Sequence, residues 1–279
     1  MTPLLSLVFT LTTTENPGNH EYETRCAEAL WRSNDSPTQQ VLRRFAHFAM
    51  FVERISIPHP ECIDPTLFLI LSEASAGEPL LPMLREIRCS CTVSPFFDTT
   101  ILSLVGPALR QLIIFEEPRL LETAVEAHAV RRILCGLPSK APALQDLRIY
   151  HRIRDVSPIS SIGQLRGLRT LRIKSWSEAS WFAPLMSVLA KLEHLRDLVL
   201  PLDHWDANTT ETPITDSFPQ LRRLKLDGLW YKGALCIGSM ASNMPPARLE
   251  YLEIPVPSST ALRRTTAHSK TSSPHVPGH

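Results

Sequence analysis

The chain has 279 residues, of which 43% are apolar and 20% charged, with 29 basic against 28 acidic side chains. This is the composition of an ordinary globular protein, and it excludes wholesale disorder or a fibrous chain. A formal net charge of +1 gives no general attraction to nucleic acid or to an anionic membrane. The longest apolar runs, such as Leu67 to Leu71, are too short to span a bilayer. We therefore expect no nucleic acid and no membrane as a partner.

Residues 1–40 form an N-terminal segment that we expect to be partly helical. The apolar run from Pro3 to Leu11 lacks the preceding Lys or Arg of a signal peptide, and residues 12–24 are poor in core-forming side chains. The six cysteines form neither a regular disulfide framework nor a Cys-x-x-Cys pair. These features predict a reducing compartment, cytoplasmic or nuclear.

A repeat runs through residues 41–256. In each copy an apolar residue is followed by two others, a second apolar residue, one other and a third apolar residue. The eight copies begin at Val52, Leu84, Leu109, Leu144, Leu168, Leu195, Leu221 and Leu249. Five of the seven spacings, 25, 24, 27, 26 and 28 residues, lie in the range of leucine-rich repeats. Leucine itself supplies 40 residues of the chain, as such repeats require.

Each copy predicts one strand. The last two apolar positions alternate with other residues, which is the period of a strand with one buried face. Five copies carry a proline shortly before the first apolar position, and we expect it to end the preceding helix. Helices are predicted between the strands, over Pro65–Ala76, Thr99–Val105, Arg119–Leu137, Glu178–Leu192 and Gly233–Ser242.

This alternation predicts an α/β fold of the leucine-rich-repeat horseshoe type, with parallel strands on the concave face and helices and loops outside. An unrelated α/β fold with parallel strands is the alternative. Residues 257–279 are predicted to be a disordered tail, because 13 of the last 25 residues are Pro, Ser or Thr. The loss of the repeat pattern after Ile254 also leaves open a truncated product without a retained function.

The sequence contains no constellation of catalytic residues. A Gly-x-Ser-x-Gly elbow and a His-Glu-x-x-His pair are both absent, and the segment Gly233 to Ser239 lacks the lysine of a phosphate-binding loop. Cys89 and Cys91 fall on one face of a predicted strand, where small buried side chains are expected rather than half of a metal site. We therefore predict a protein that is not an enzyme and holds no cofactor or metal.

The strand positions between the apolar ones are predicted to line the concave face in columns. A basic, partly aromatic patch results in the middle of the array, from Arg148, Tyr150, Arg172 and Lys174. It is extended by Arg223 and Lys225, and Arg88 is a further candidate binding residue of the same face. One interpretation is a receptor for an acidic or phosphorylated protein segment, since Arg pairs bidentately with such groups. The other is a solvated face balanced by Asp146, Asp197 and Asp227.

Two apolar residues, Ile113 and Phe115, fall on the same predicted face. They either contact a partner or are covered by an ordered part of the N-terminal segment. Both alternatives remain open at the level of the sequence.

Several segments resemble fungal proteins that join an F-box to leucine-rich repeats. Residues 41–48 with 52–55 resemble the segment that leads into the first strand, and residues 79–85 and 104–110 look like the second and third repeats. Residues 26–31 are similar to the segment just after the F-box. The resemblance covers about residues 25–256. It implies a substrate receptor of an SCF-type ubiquitin ligase, with the Skp adaptor and the cullin ligase as partners and a protein substrate on the concave face.

The chain departs from that family upstream of residue 25. An F-box there would be an apolar helical motif opening with Leu-Pro, and the nearest match is Pro3-Leu4-Leu5 before a Thr-rich break. Residues 1–40 therefore hold at most an F-box remnant. The alternatives are an adaptor or scaffold of the same fold without a link to ubiquitin, and an enzyme or GTPase regulator built on repeats.

Overall fold

The computed structural model describes residues 10–13, 29–32, 38–57, 65–75, 77–91, 97–116, 124–153, 157–176, 182–201, 218–227 and 249–253. The predicted helix over Gly233–Ser242 and the predicted tail over residues 257–279 lie outside these ranges.

The eight predicted strands all form, and they make one open sheet. They are β3 (Arg54–Ile57), β4 (Glu86–Cys91), β5 (Gln111–Glu116), β6 (Asp146–Ile153), β7 (Thr170–Trp176), β8 (Asp197–Pro201), β9 (Arg223–Asp227) and β10 (Tyr251–Glu253). Every pair of neighbours is parallel. The sheet has β3 at one edge and β10 at the other, so it is not closed into a barrel.

The strands lie in the sheet in the order in which they occur along the chain. A doubly wound fold reverses its strand order at a switch point, because its helices cover both faces in turn. Here the order never reverses. The protein is therefore an α/β fold whose parallel strands are added one after another in one direction, as in a solenoid.

Six helices accompany the sheet in the described part of the chain. They are α1 (Gln39–Ala49), α2 (Pro65–Ala74), α3 (Phe97–Leu104), α4 (Ala124–Lys140), α5 (Pro158–Ile162) and α6 (Phe182–Leu189). The predictions located α2, α3, α4 and α6, with ends that differ by a few residues, and missed α1 and α5. From α2 to α6 each helix contacts the next one, so these helices form a single row.

The apolar positions of the repeat form one continuous core. The second apolar position is buried in seven copies, from Ile55 to Leu224, and the third is buried in every described copy. Leu147, in the middle of the sheet, is 0% exposed, whereas Leu252 in the edge strand β10 is 42% exposed. Each strand is covered by the next repeat, so the last described copy lacks part of its cover.

A tight turn introduces each strand from β4 to β9. The backbone N–H of the first apolar residue donates to the carbonyl three residues earlier, for example Leu84 to Leu81 at 3.0 Å and Leu144 to Ala141 at 3.1 Å. Pro82 and Pro142 each occupy the second position of such a turn, where a φ near −65° is required. The proline therefore shapes the turn into the strand, beyond the helix-ending role that we predicted for it.

The described residues before Thr38 form two strands. β1 (Thr10–Thr13) and β2 (Ala29–Arg32) pair antiparallel as a separate two-stranded sheet. Among the described residues the first helix begins at Gln39, after the N-cap Thr38, whose hydroxyl accepts from the N–H of Val41 at 3.4 Å.

Candidate functional site

One face of the eight-stranded sheet remains open. We number the residues of each copy from its first apolar residue, so that Val52 is position one and Arg54 is position three. At positions three and five of the eight copies, from Arg54 to Glu253, every side chain except Ile113 is exposed or half-buried. The apolar positions between them point to the opposite face, into the core. We call this surface the open face.

The residues of the open face stand in columns. The third positions are in register across all eight strands, and the fifth positions are in register as well: Ser56, Arg88, Ile113, Arg148, Arg172, Val199, Lys225 and Glu253. Strands of a sheet lie about 4.8 Å apart, so residues of one column are direct neighbours. These two predicted columns therefore exist in the structure, and they contain Arg88, Ile113, Arg148, Arg172, Arg223 and Lys225. Phe115, Tyr150 and Lys174 lie two residues beyond the fifth position, in a third predicted column that is interrupted at Tyr150 and in which Ser90 and Pro201 are buried.

Arg148 is engaged by the sheet itself. Its Nε donates to Asp146 Oδ1 at 3.0 Å and a terminal nitrogen donates to Asp146 Oδ2 at 2.7 Å, while the amide of Gln111 donates to the same Oδ2 at 2.8 Å. Hydrogen bonding to Asp146 raises the pKa of Arg148 above its ordinary value. The charge of Arg148 is thus neutralised by a carboxylate two residues earlier in the same strand.

The same arrangement recurs in β4. Glu86 accepts from Arg88 Nε at 2.5 Å and also lies 3.5 Å from Arg54 Nε on the neighbouring strand. The Glu86 side chain is largely buried, while both arginines are well exposed. In β4 as in β6, a carboxylate at the third position pairs with an arginine at the fifth.

The far end of the open face carries a third network. Lys225 Nζ lies 2.9 Å from Glu253 Oε1 and 3.8 Å from Asp227, and Arg223 lies 3.6 Å from Asp197. The hydroxyl of Tyr251 donates to Glu253 at 2.7 Å. The hydrogen bond from Lys225, joined by the one from Tyr251, lowers the pKa of Glu253, and the same contact with Glu253 raises the pKa of Lys225.

Strand β7 departs from this pattern. Its third position is Thr170 instead of a carboxylate, and its fifth is Arg172. The Nε of Arg172 is shielded from solvent and has no hydrogen-bond partner in the part of the chain that the structure describes. Lys174, two residues on, is exposed. Within the described ranges no carboxylate pairs with either side chain.

The strand beside β7 is irregular at the same level. Ile149 pairs with Ile173, but Arg152 then pairs with Ser175, so β6 contains one extra residue between these pairs. Tyr150 directly follows Ile149, and its hydroxyl lies close enough to Arg148 to contribute to the raised pKa of that arginine. Bulges of this kind re-aim side chains and are frequent beside binding sites.

The two apolar residues that we predicted for this face, Ile113 and Phe115, differ in exposure. Ile113 is only 8% exposed although it lies apart from the main core, and Phe115 is half-buried. Phe115 is in register with Ser90. An aromatic side chain thus lies two strands from Lys174.

The predicted patch therefore separates into two kinds of residue. Arg88, Arg148, Arg223 and Lys225 are compensated by carboxylates, as the interpretation of a balanced, solvated face expects. Arg172 and Lys174 are not compensated by any described residue. The sequence alone does not separate the compensated cations from the uncompensated ones, because the partner of each cation depends on the register of the strands.

A second surface feature was not predicted. Beside α1 an apolar groove of about 290 Å³ is lined by residues of α1 and α2 and of the turn before β4, among them Leu42, Phe45, Leu71 and Leu80. Met50, which also lines the groove, is exposed, as are Phe48 and Phe51 next to it in the sequence. The amphipathic spacing of residues 41–49 was the signal that could have identified the helix.

Metal and membrane features are absent from the described ranges. No group of three His, Cys, Asp or Glu side chains there could hold a metal ion. No helix within those ranges is long and apolar enough to cross a membrane. The exposed Cys135 and the buried Cys89 carry reduced thiols, and burial raises the pKa of Cys89 far above its ordinary value.

Comparison with known proteins gave no match, either to a protein-family model or to a curated protein.

Proposed function

We propose that the chain is a protein-binding module whose open face receives a segment of a partner protein. The observation that supports this is the open face itself. A parallel sheet ordinarily has both faces covered by helices, so its strands are apolar throughout. In this chain one face carries registered columns of polar and charged side chains, with an aromatic residue among them.

We further propose that the array is a leucine-rich-repeat horseshoe with the open face on its concave side. Strands pack about 4.8 Å apart, whereas packed helices need about 8–10 Å. One row of helices paired with one row of strands must therefore curve, with the strands on the inner side. Repeat spacings of 24 to 28 residues along β6 to β10 are consistent with this geometry.

Within this class, the resemblance of residues 25–256 to fungal F-box proteins supports a substrate receptor of a cullin-RING ubiquitin ligase, acting by binding and not by catalysis. A second candidate is an adaptor or scaffold without a ligase. It is favoured by the strands β1 and β2, which occupy part of the region where a helical F-box would lead into the repeats.

Size-exclusion chromatography of the chain mixed with the Skp adaptor separates the two candidates. Co-elution supports the ligase receptor, and separate elution under conditions where an intact F-box protein binds the adaptor supports the scaffold.

The binding face is tested with two matched variants. Val199→Arg places a long charged side chain in the centre of the open face, and Ser187→Arg places the same side chain on the exposed surface of α6. We expect partners recovered with the wild-type chain, identified by quantitative mass spectrometry, to be lost from Val199→Arg and kept by Ser187→Arg. Retention of the same partners by Val199→Arg, with an unchanged melting temperature, would overturn the proposal.

A further inference from the structure

The large exposed apolar side chains of the described chain lie at the two ends of the sheet and not in its middle. Two of them, Tyr251 and Leu252, belong to the edge strand β10. The others lie before β3 or in the turn that leads to β4: Phe48, Met50, Phe51 and Met83. A repeat array with an uncovered apolar end is poorly soluble, so solenoids ordinarily close their ends with a further element. The β3 end therefore offers an apolar surface to such an element.

The groove beside α1 lies at this end and has room for a few apolar side chains. From α2 to α6 neighbouring helices pack directly against one another, whereas Leu42 and Phe45 of α1 and Leu71 of α2 line an open groove. A water molecule occupies about 30 Å³, so the volume of about 290 Å³ holds about ten heavy atoms. That corresponds to about two or three leucine side chains, which the apolar lining favours over polar groups.

The strands β1 and β2 bring another part of the chain close to the groove. Thr10, the first residue of β1, pairs with Arg32, the last residue of β2. Thr38, at the start of α1, follows Arg32 by six residues, which span about 20 Å at most when fully extended. The residue before Thr10 is therefore held within about 30 Å of the start of α1.

The residues just before Thr10 have the character that the groove requires. Residues 4–9, which lie outside the described ranges, read Leu-Leu-Ser-Leu-Val-Phe. The neighbouring segments outside those ranges, residues 14–28, 33–37 and 58–64, consist mostly of polar, charged or proline residues. A segment tethered by a linker of this length reaches an effective concentration of about 1 mM at the groove.

We infer that residues 4–9 bind in the groove between α1 and α2 of the same chain and cover the β3 end of the sheet. Their leucines supply the side chains that the groove accommodates, and the short connection through Arg32 holds them in reach. A second copy of the chain carries the same residues, but it presents them only at its own concentration in solution, which is far below that of the tethered segment. The inference involves no residue of the open face and does not depend on the proposed function.

Thiol labelling of the groove in the full chain tests the inference. Met50→Cys places a thiol in the lining of the groove, at a residue that is 58% exposed, and Ser187→Cys places a reference thiol on the exposed surface of α6. We expect a maleimide reagent to modify Met50→Cys about tenfold or more slowly than Ser187→Cys, because burial of one leucine side chain favours the bound state by about that factor. Peptide masses separate the introduced thiol from the native cysteines.

Matched variants of the segment show whether it causes the protection. Leu5→Asn with Leu7→Asn removes two apolar side chains, and Thr2→Asn with Ser6→Asn introduces the same amides at polar positions of the same region. We expect the first pair to raise the modification rate of Met50→Cys about tenfold or more, and the second pair to leave it unchanged. Equal rates in the wild-type background and in both pairs would overturn the inference.

Photochemical cross-linking locates the segment directly. With p-benzoylphenylalanine in place of Leu7, irradiation of the full chain is expected to give cross-links to residues 42–50 and 71–82 of the same molecule. Cross-links that fall only outside these residues contradict the inference. Cross-links between two molecules, or protection of Met50→Cys that is lost on dilution, would show that a second copy occupies the groove and that the intramolecular assignment is wrong.

Melting temperatures show whether each variant is folded. If Met50→Cys itself lowers the melting temperature, Ala46→Cys repeats the labelling at another exposed position of the lining, one turn earlier in α1. A failure of this inference is also distinct from a failure of the proposed function, because partner recovery with Val199→Arg tests the open face alone.

Discussion

The same repeat position has different surroundings in the middle of the sheet and at its edge, and this difference is measurable. Leu147 in β6 and Leu252 in β10 are both the second apolar residue of their copies, but they are 0% and 42% exposed. We predict that Leu147→Ala destabilises the protein clearly more than Leu252→Ala. The two substitutions remove identical atoms, so each is the control of the other.

The expected magnitudes follow from burial. Truncating Leu to Ala removes three carbon atoms, or about 2.4 kcal/mol of transfer free energy when the side chain is fully buried. The cavity left behind raises the loss for buried sites to about 2.7–5 kcal/mol. At Leu252 little more than half of the side chain is buried and no closed cavity forms. The loss there is about 1.4 kcal/mol at most.

Urea unfolding followed by far-UV circular dichroism measures both losses, with the slope of the transition compared among variants. The account predicts a difference of about 1.3 kcal/mol or more between the two variants. Equal losses, or a larger loss for Leu252→Ala, would refute the assignment of β10 as the less covered end of the described sheet.

Three further predictions concern single groups. Arg132→Ala leaves the Asp98 carboxylate, only 2% exposed, without the cation whose Nε lies 2.7 Å away. We expect Arg132→Ala to lower the free energy of unfolding by about 2 kcal/mol, and Arg166→Ala, at an exposed position, to lower it by about 0.5 kcal/mol or less. Similar losses in the two variants would contradict the stabilising role of the Arg132–Asp98 pair. The pKa of Glu253 is lowered, so its contribution to stability is present above the ordinary value of 4.5 and is lost as the pH falls through the lower folded value. An NMR titration should therefore find the Glu253 pKa below 4.5 and closer to 4.5 in Lys225→Ala, whereas an unshifted wild-type value would contradict the network. Finally, a thiol reagent should modify the exposed Cys135 of the folded chain rapidly and the buried Cys89 only after unfolding, as read from peptide masses; equal rates would show that β4 is not buried.

The repeat predicted the sheet well because its signal is local and recurs eight times. The alternation Leu147, Arg148, Ile149 is enough to assign a strand and to tell its buried residues from its open ones. Every copy has the same number of residues between its first and its third apolar position. Equivalent positions of neighbouring strands therefore pair with one another, and this pairing produces the columns of the open face.

Other features depend on contacts that the sequence does not encode locally. The short helix α5, over Pro158–Ile162, is too brief to show a helical period. The distinction between Arg148 and Arg172 depends on Asp146 and Thr170, two residues earlier, and on Asp197 turning away toward β9. Arg148 and Arg172 carry the same charge and occupy the same repeat position, so only the partners that the fold brings to them distinguish the two residues.

The most direct test of the account is whether the face opposite the helices is open. Ser56→Cys and Val199→Cys place thiols at the fifth position of β3 and β8, and a maleimide reagent with a peptide-by-peptide mass readout gives the modification rate of each. If the open face is available to a partner, both sites react in the folded chain at rates within about tenfold of those in urea. Protection by several hundredfold at either site would mean that the face is covered, and the chain would have no open surface of this kind for a partner to occupy.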